Sequence, residues 1–106
     1  MVKRGEIWVL ELAGSMPTQP SALRLCVVVS PTEINEHLPT VLVAPLSSSR
    51  QAAPFRVPLT HAGKKGVVLL DQLQTFDRSK LKTRAGALSN TTLGKVLQVL
   101  QELFSE

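Results

Sequence analysis

The chain has no tyrosine, one tryptophan and three phenylalanines, which leaves little material for a platform that stacks several nucleobases. Its single cysteine, Cys26, excludes an internal disulfide and a thiolate metal cluster. The two histidines, His37 and His61, have no metal-ligand spacing around them, so metal chemistry is not expected. No apolar run approaches the roughly 20 residues needed to cross a bilayer. The first residues, Met1–Val2–Lys3–Arg4–Gly5, lead straight into a strand pattern without an apolar signal segment, so the expected location is cytoplasmic. Acidic charge is the scarcer sign. Eight acidic side chains face twelve basic ones, and the net charge of +4 favours anionic partners, nucleic acid first.

What is present describes one globular domain over residues 1–106, with 43% hydrophobic and 19% charged residues. Its most informative stretch is Leu23–Arg24–Leu25–Cys26–Val27–Val28–Val29–Ser30–Pro31. The three valines are stiff at χ1 and pack well on a pleated surface, which predicts a buried strand. Cys26 within it reads as a small hydrophobe. Arg24 stands at its entrance, always charged, with a fork of donors suited to phosphate. An ion pair with an acidic side chain at the sheet edge is the plain alternative for Arg24.

Ahead of it, Glu6–Leu12 alternates as a first strand, with Ile7 and Val9 on one face and Trp8, Leu10 and Leu12 on the other. Trp8 reads as a core anchor. Residues 13–22 carry Gly14, Pro17, Pro20 and several small polar residues, and form a loop long enough to bind. Ser30 and Pro31 open a turn and a short helical turn that Ser30 is placed to cap. Thr40–Leu46 is a third strand, ending in the hydroxyl cluster Ser47–Ser48–Ser49 and Arg50. Phe55–Arg56–Val57–Pro58–Leu59 suits an edge strand because of its proline. Thr60–Lys65 reads as a basic turn, and Gly66–Leu70 as a buried fifth strand that breaks off at Asp71–Gln72. Thr75–Leu81 looks like a short extended piece followed by a turn or helical turn, within the most basic part of the chain, Arg78 to Arg84. A solvated charged face is the usual explanation of such a run. At the end, Ser89 is placed as the N-cap of a helix whose apolar stripe is Leu93, Val96, Leu97, Leu100 and Phe104. Five or six strands and one terminal helix predict a small, strongly bent sheet or barrel.

These pieces, in this order, resemble the MazF/PemK toxins, ribosome-independent endoribonucleases that cleave messenger RNA. The matching stretches are Arg4–Trp8, Arg24 with Val27–Pro31, Val43–Ser48, Pro54–Val57, and Gly66–Gln72 with Thr75, then the terminal helix. The resemblance implies a mainly β, SH3-like barrel of five to seven strands with a C-terminal helix, working as a homodimer. It implies a metal-independent cleavage of single-stranded RNA, without cofactor, and inhibition by a cognate antitoxin protein. The arginine opening the second strand and the hydroxyl closing the third map onto Arg24 and Ser47, the implied catalytic pair. Asp71, Gln72 and Ser48 are the implied candidates for proton transfer or RNA contact, and Gln19, Phe55, Arg56 and Lys65 for RNA binding.

Three departures stand out. The first loop, Gly14–Ser15–Met16–Pro17–Thr18–Gln19, lacks the acidic residue of a Gly-Ser-Glu-Gln-type motif. Leu25 replaces the proline that usually follows the arginine, and Leu69 stands where some relatives place a second arginine.

The implied reaction is attack of a ribose 2′-hydroxyl on the adjacent phosphate, giving a 2′,3′-cyclic phosphate and a 5′-hydroxyl end. It needs alignment, a proton acceptor and donor, and positive charge on the developing dianion. Arg24 and Ser47 suit the charge and the hydrogen bond. A guanidinium is a poor base, so the proton acceptor is Asp71, water or an unusually placed Arg24. An acidic antitoxin tail would be drawn to the basic turns Lys64–Lys65 and Arg78–Arg84 as readily as RNA. Two other readings remain: a non-catalytic RNA- or protein-binding barrel, and a CcdB-like gyrase poison. The second is opposed by a chain end, Leu103–Phe104–Ser105–Glu106, without a terminal tryptophan.

Overall fold

The computed structural model describes residues 2–12, 22–48 and 53–105. Its strands are β1 (Glu6–Leu12), β2 (Ala22–Val28), β3 (Thr40–Ser47), β4 (Arg56–His61), β5 (Lys64–Leu69), β6 (Gln74–Asp77) and β7 (Leu81–Ala87). Two helices, α1 (Thr32–His37) and α2 (Asn90–Leu103), complete it. The seven strands form one curled, antiparallel sheet in the order β4-β5-β3-β2-β1-β7, with β6 added to β3. This is the mainly β architecture with a C-terminal helix that the sequence predicted.

The valine run explains the centre. Val27 and Val29 face a core with Ile7, Ala44, Val57, Val68, Leu70 and Val96 of α2. Cys26 and Val28 face the opposite core with Leu10, Val41, Val43 and Leu81. A strand buried on both faces reads as a continuous apolar run rather than an alternation. Burial pushes the Cys26 thiol up to about 12, so it stays protonated and serves as packing. β3 is the hub of the sheet. It pairs β2 on one side, while its other side is divided between β6 at Thr40–Val43 and β5 at Leu46–Ser47.

Four local readings need correction. Ser30 precedes α1 but does not cap it. Its hydroxyl bonds Asn35 Oδ1 and accepts the Leu42 amide, so it ties α1 to β3 instead. The stretch 60–65 is mostly strand, because Ala62 (φ 52°) and Gly63 (φ 77°) compress the turn into two residues. In the basic segment 78–84 the expected helical turn is the single 3₁₀ turn Arg78–Lys80, but the turn does not run on to Arg84, because β7 follows directly and pairs with β1. Phe104 lies just past α2 and is 74% exposed, so it is no part of the buried stripe. The predicted cap does hold, since Ser89 Oγ accepts the Thr92 amide at 3.1 Å. Trp8 is half-buried against the second core and donates its Nε1 to Glu6 Oε1 at 3.2 Å.

Candidate active site

β2 and β3 are paired through Val28–Val43, Val27–Ala44 and Cys26–Pro45. Both strands run on past that point while the ladder stops, and a cleft of about 410 Å³ opens at their ends. Followed two residues further, the same register sets Arg24 across from Ser47, and both residues border the cleft. The β4–β5 hairpin closes the far wall with Leu59, His61, Lys64, Lys65 and Gly66, and Ser48 lines the rim. Leu23, Leu25 and Leu46 make the remaining walls apolar.

Arg24 is exposed, and its Nη1 donates to the adjacent Leu23 carbonyl, at 3.1 Å. Among the described residues no carboxylate meets it, so the edge ion pair is not formed. Its charge is presented to the cleft. Ser47 is held from the other side, where it pairs with Val67 of β5. The next residue, Gly66, explains how closely the strands approach: a Cβ there would lie 2.6 Å from the Ser47 carbonyl oxygen. Only glycine leaves room for Ser47 in this position.

The structure brings together only part of the sequence-derived set. Arg24, Ser47, Ser48 and Lys65 share the cleft. Phe55, Arg56, Asp71 and Gln72 do not line it; they lie at the other end of the β4–β5 hairpin. There Arg56 pairs with Leu69, and the Phe55 carbonyl accepts the Leu70 amide at 3.1 Å. Arg56 Nε faces Asp71 Oδ1 at 3.5 Å, an ion pair too long for a formed hydrogen bond. Five residues of strand separate that end from His61, or about 17 Å. The two ends of the hairpin are therefore separate parts of the surface. Gln19 lies outside the described residues.

In the segment 78–84 two of the four cations face carboxylates and a third, Arg78, bonds a carbonyl. Arg78 Nη1 donates to the Asn35 carbonyl at 2.6 Å, Lys82 faces Glu11 at 3.6 Å, and Arg84 Nε meets Glu6 Oε2 at 2.6 Å. Glu6 is buried, which alone would raise its carboxyl. The Lys3 amide, Trp8 Nε1 and the Arg84 guanidinium outweigh that and hold it below the ordinary value.

His61 was missed as a site residue. The sequence weighed it only as a metal ligand, and the signal that could have found it was its place beside the two lysines of a hairpin tip. Among the described residues, no group of three or more potential metal-ligating side chains is assembled anywhere.

Residues 3–104 match the family model of the PemK-like, MazF-like toxin of type II toxin–antitoxin systems. An endoribonuclease MazF of Staphylococcus saprophyticus is 26% identical over 102 residues, covering 91% of this chain and 85% of that protein. A crystal structure of MazE–MazF from Deinococcus radiodurans superposes with a TM-score of 0.84 at 26% identity, covering 96% of this chain and 94% of that one. A mycobacterial endoribonuclease in complex with its cognate antitoxin gives 0.82 at 20% identity, over 96% and 93% of the two chains. A small curled sheet with a terminal helix is the framework of this class of toxin. The chain belongs to the PemK-like, MazF-like family of type II toxin–antitoxin toxins.

Proposed function

We propose that the protein is a toxin endoribonuclease that cuts single-stranded messenger RNA at the Arg24–Ser47 cleft. The observation that carries this reading is the register that sets Arg24, which faces no carboxylate among the described residues, across from Ser47 at the border of a cleft that two lysines also line. Arg24 neutralises the charge that develops on the phosphate as the 2′-oxygen attacks, and Ser47 donates a hydrogen bond to the same group. The nucleophile belongs to the substrate, so no metal is required, and a strand without 2′-hydroxyls is not cut. The products are a 2′,3′-cyclic phosphate and a 5′-hydroxyl end.

Ser48 and Lys65 extend the interaction along the RNA backbone from the cleft. Phe55, Arg56, Asp71 and Gln72 form a second RNA-facing region at the other end of the hairpin, and Gln19 belongs to the recognition loop. The protein works as a homodimer in the cytoplasm and is neutralised by an antitoxin whose acidic segment competes with RNA for the cationic cleft. Two solved relatives, from Deinococcus radiodurans and from a mycobacterium, are toxin–antitoxin complexes, which supports the last point. The test is cleavage of a long single-stranded RNA in EDTA by the wild type and Arg24→Ala. Discrete fragments ending in cyclic phosphate, lost in the variant, are expected. Intact RNA with folded wild-type protein would leave a binding module.

A further inference from the structure

The strand register sorts the side chains of this sheet onto two faces. Directly opposed residues share a face, and so do residues two apart along one strand. Ser47 is opposed to Val67, and Val67 in turn to Pro58. With Arg24 across from Ser47, these four make one row on one face. Arg56 and Leu69 are opposed to each other and stand two residues from Pro58 and Val67, so they belong to that same face. Arg56 therefore lies two strands across and two residues along from Ser47, about 10 Å by about 7 Å. The two arginines and the Ser47 hydroxyl share one side of the sheet.

Arg56 is held there without being neutralised as Arg84 is. Arg84 Nε meets Glu6 Oε2 at 2.6 Å, whereas Arg56 Nε stands 3.5 Å from Asp71 Oδ1. The Arg56 Nε is buried and has no hydrogen-bond partner. A buried donor is seldom left in that state, and an acceptor brought from outside would complete it. Asp71 is exposed, on the 3₁₀ turn Leu70–Gln72 that follows β5, where water weakens its pull on the guanidinium. The acceptor that fits is a phosphate, which is anionic and offers several oxygens to a fork of donors. Leu69 has no charge to offer, but the Cβ atoms of opposed residues lie only about 5 Å apart. A guanidinium carried at position 56 or at position 69 would thus serve the same place on this face.

We propose that Arg56 binds a phosphate flanking the scissile one, so that the RNA is held at two phosphates on one face of the sheet. It fills from β4 the place that an arginine at position 69 would fill from β5, and Asp71 orients it. The proposal rests on the ribonuclease reading above.

The test compares the wild type, Arg56→Gln and the double variant Arg56→Leu/Leu69→Arg. Single-turnover cleavage of one single-stranded RNA is measured beside binding of a 2′-fluoro strand of the same sequence, which cannot react. Arg56→Gln is expected to bind that strand about 10- to 100-fold more weakly, with a salt slope lower by about 0.7. Its rate at saturating protein should stay within about threefold of wild type. The double variant, which moves the arginine across the ladder, should regain the affinity to within about threefold. Strands in which one phosphate at a time, beside the scissile linkage, is a neutral methylphosphonate locate the contact. At one such linkage the wild type and Arg56→Gln should bind alike. An undiminished affinity in Arg56→Gln would overturn the proposal. So would a loss that persists equally at every linkage, with a lowered melting temperature, because Arg56 would then serve only its pair with Asp71. If the wild type itself leaves RNA intact, the ribonuclease reading fails; if it cleaves and Arg56→Gln binds every strand as the wild type does, only this proposal fails.

Discussion

Two basic regions of this molecule carry the same kind of charge and do different work. Arg78, Lys82 and Arg84 sit at and along β7 and are spent within the fold, on the Asn35 carbonyl, Glu11 and Glu6. Arg24, Lys64 and Lys65 line a cleft and, among the described residues, face no carboxylate. In the sequence the first group is the denser run. In space it is the second group that keeps its charge for a ligand. Charge density along a chain therefore says little about charge availability, because ion pairing is set by which strands become neighbours.

The comparison breaks most sharply at Arg24. Arg24→Ala is expected to lower the cleavage rate by about 100- to 1,000-fold, the typical effect of removing a charge-stabilising donor, with thermal stability unchanged. Arg84→Ala should do the reverse and leave the rate near wild type. An Arg24→Ala variant that cleaves normally would move the centre elsewhere.

The second effect concerns the scaffold of the cleft. In Gly66→Ala the new methyl meets the Ser47 carbonyl at 2.6 Å, so β5 or β3 must shift. A displacement of about 1 Å in a catalytic group costs on the order of 100-fold in rate. The strain should also lower stability by about 1–3 kcal/mol. Rate and melting temperature measured together would show both. A normal rate would mean that Ser47 has more room than the packing shows.

On the other side stands Glu6. Glu6→Gln removes the acceptor of a buried charge-assisted bond and is expected to destabilise the protein by about 1–2 kcal/mol without slowing cleavage. The carboxyl is held below its ordinary value of 4.5 in the folded state. Its stabilising contribution is thus complete at neutral pH and declines as the pH falls below that value, through the lowered folded pKa. The wild type and Glu6→Gln should converge in stability in acid. Urea unfolding at pH 7 and below pH 4 would check it, and a constant difference would show that charge is not the cause.

The smallest effect separates the two sets of lysines. Lys64→Gln and Lys65→Gln should each reduce the salt dependence of RNA binding, by a slope of about 0.7 for each phosphate no longer neutralised. Lys82→Gln should leave that slope unchanged, since its charge already faces Glu11. Binding isotherms over a range of salt concentrations would distinguish them. An equal slope change for all three would erase the difference between the regions.

Much of the framework could be read along the chain. The valine run, the proline-marked edge strand at Pro58 and the Ser89 cap rest on local physics: rotamer stiffness, a missing amide donor, an orphan amide in need of an acceptor. β7 was the element not foreseen. Leu81–Ala87 carries three charged or polar side chains and a glycine and looks like a turn, and only pairing with β1 makes it a strand. The site was partly legible. Arg24 and Ser47 could be named from their places at the ends of two strands. Asp71 could not be assigned, because its distance from the cleft depends on how β5 lies across β3.

The sequence by itself determined every strand but β7, the doubly buried centre and the excess of positive charge, because those depend on residue type and on near neighbours. Only the tertiary structure decided which cations are neutralised and which are offered to a ligand. It alone seated His61 against Gly86 and set Arg24 across from Ser47. These groups come from distant parts of the chain, and their meeting is fixed by strand order, register and the room left by two glycines, none of which leaves a local trace.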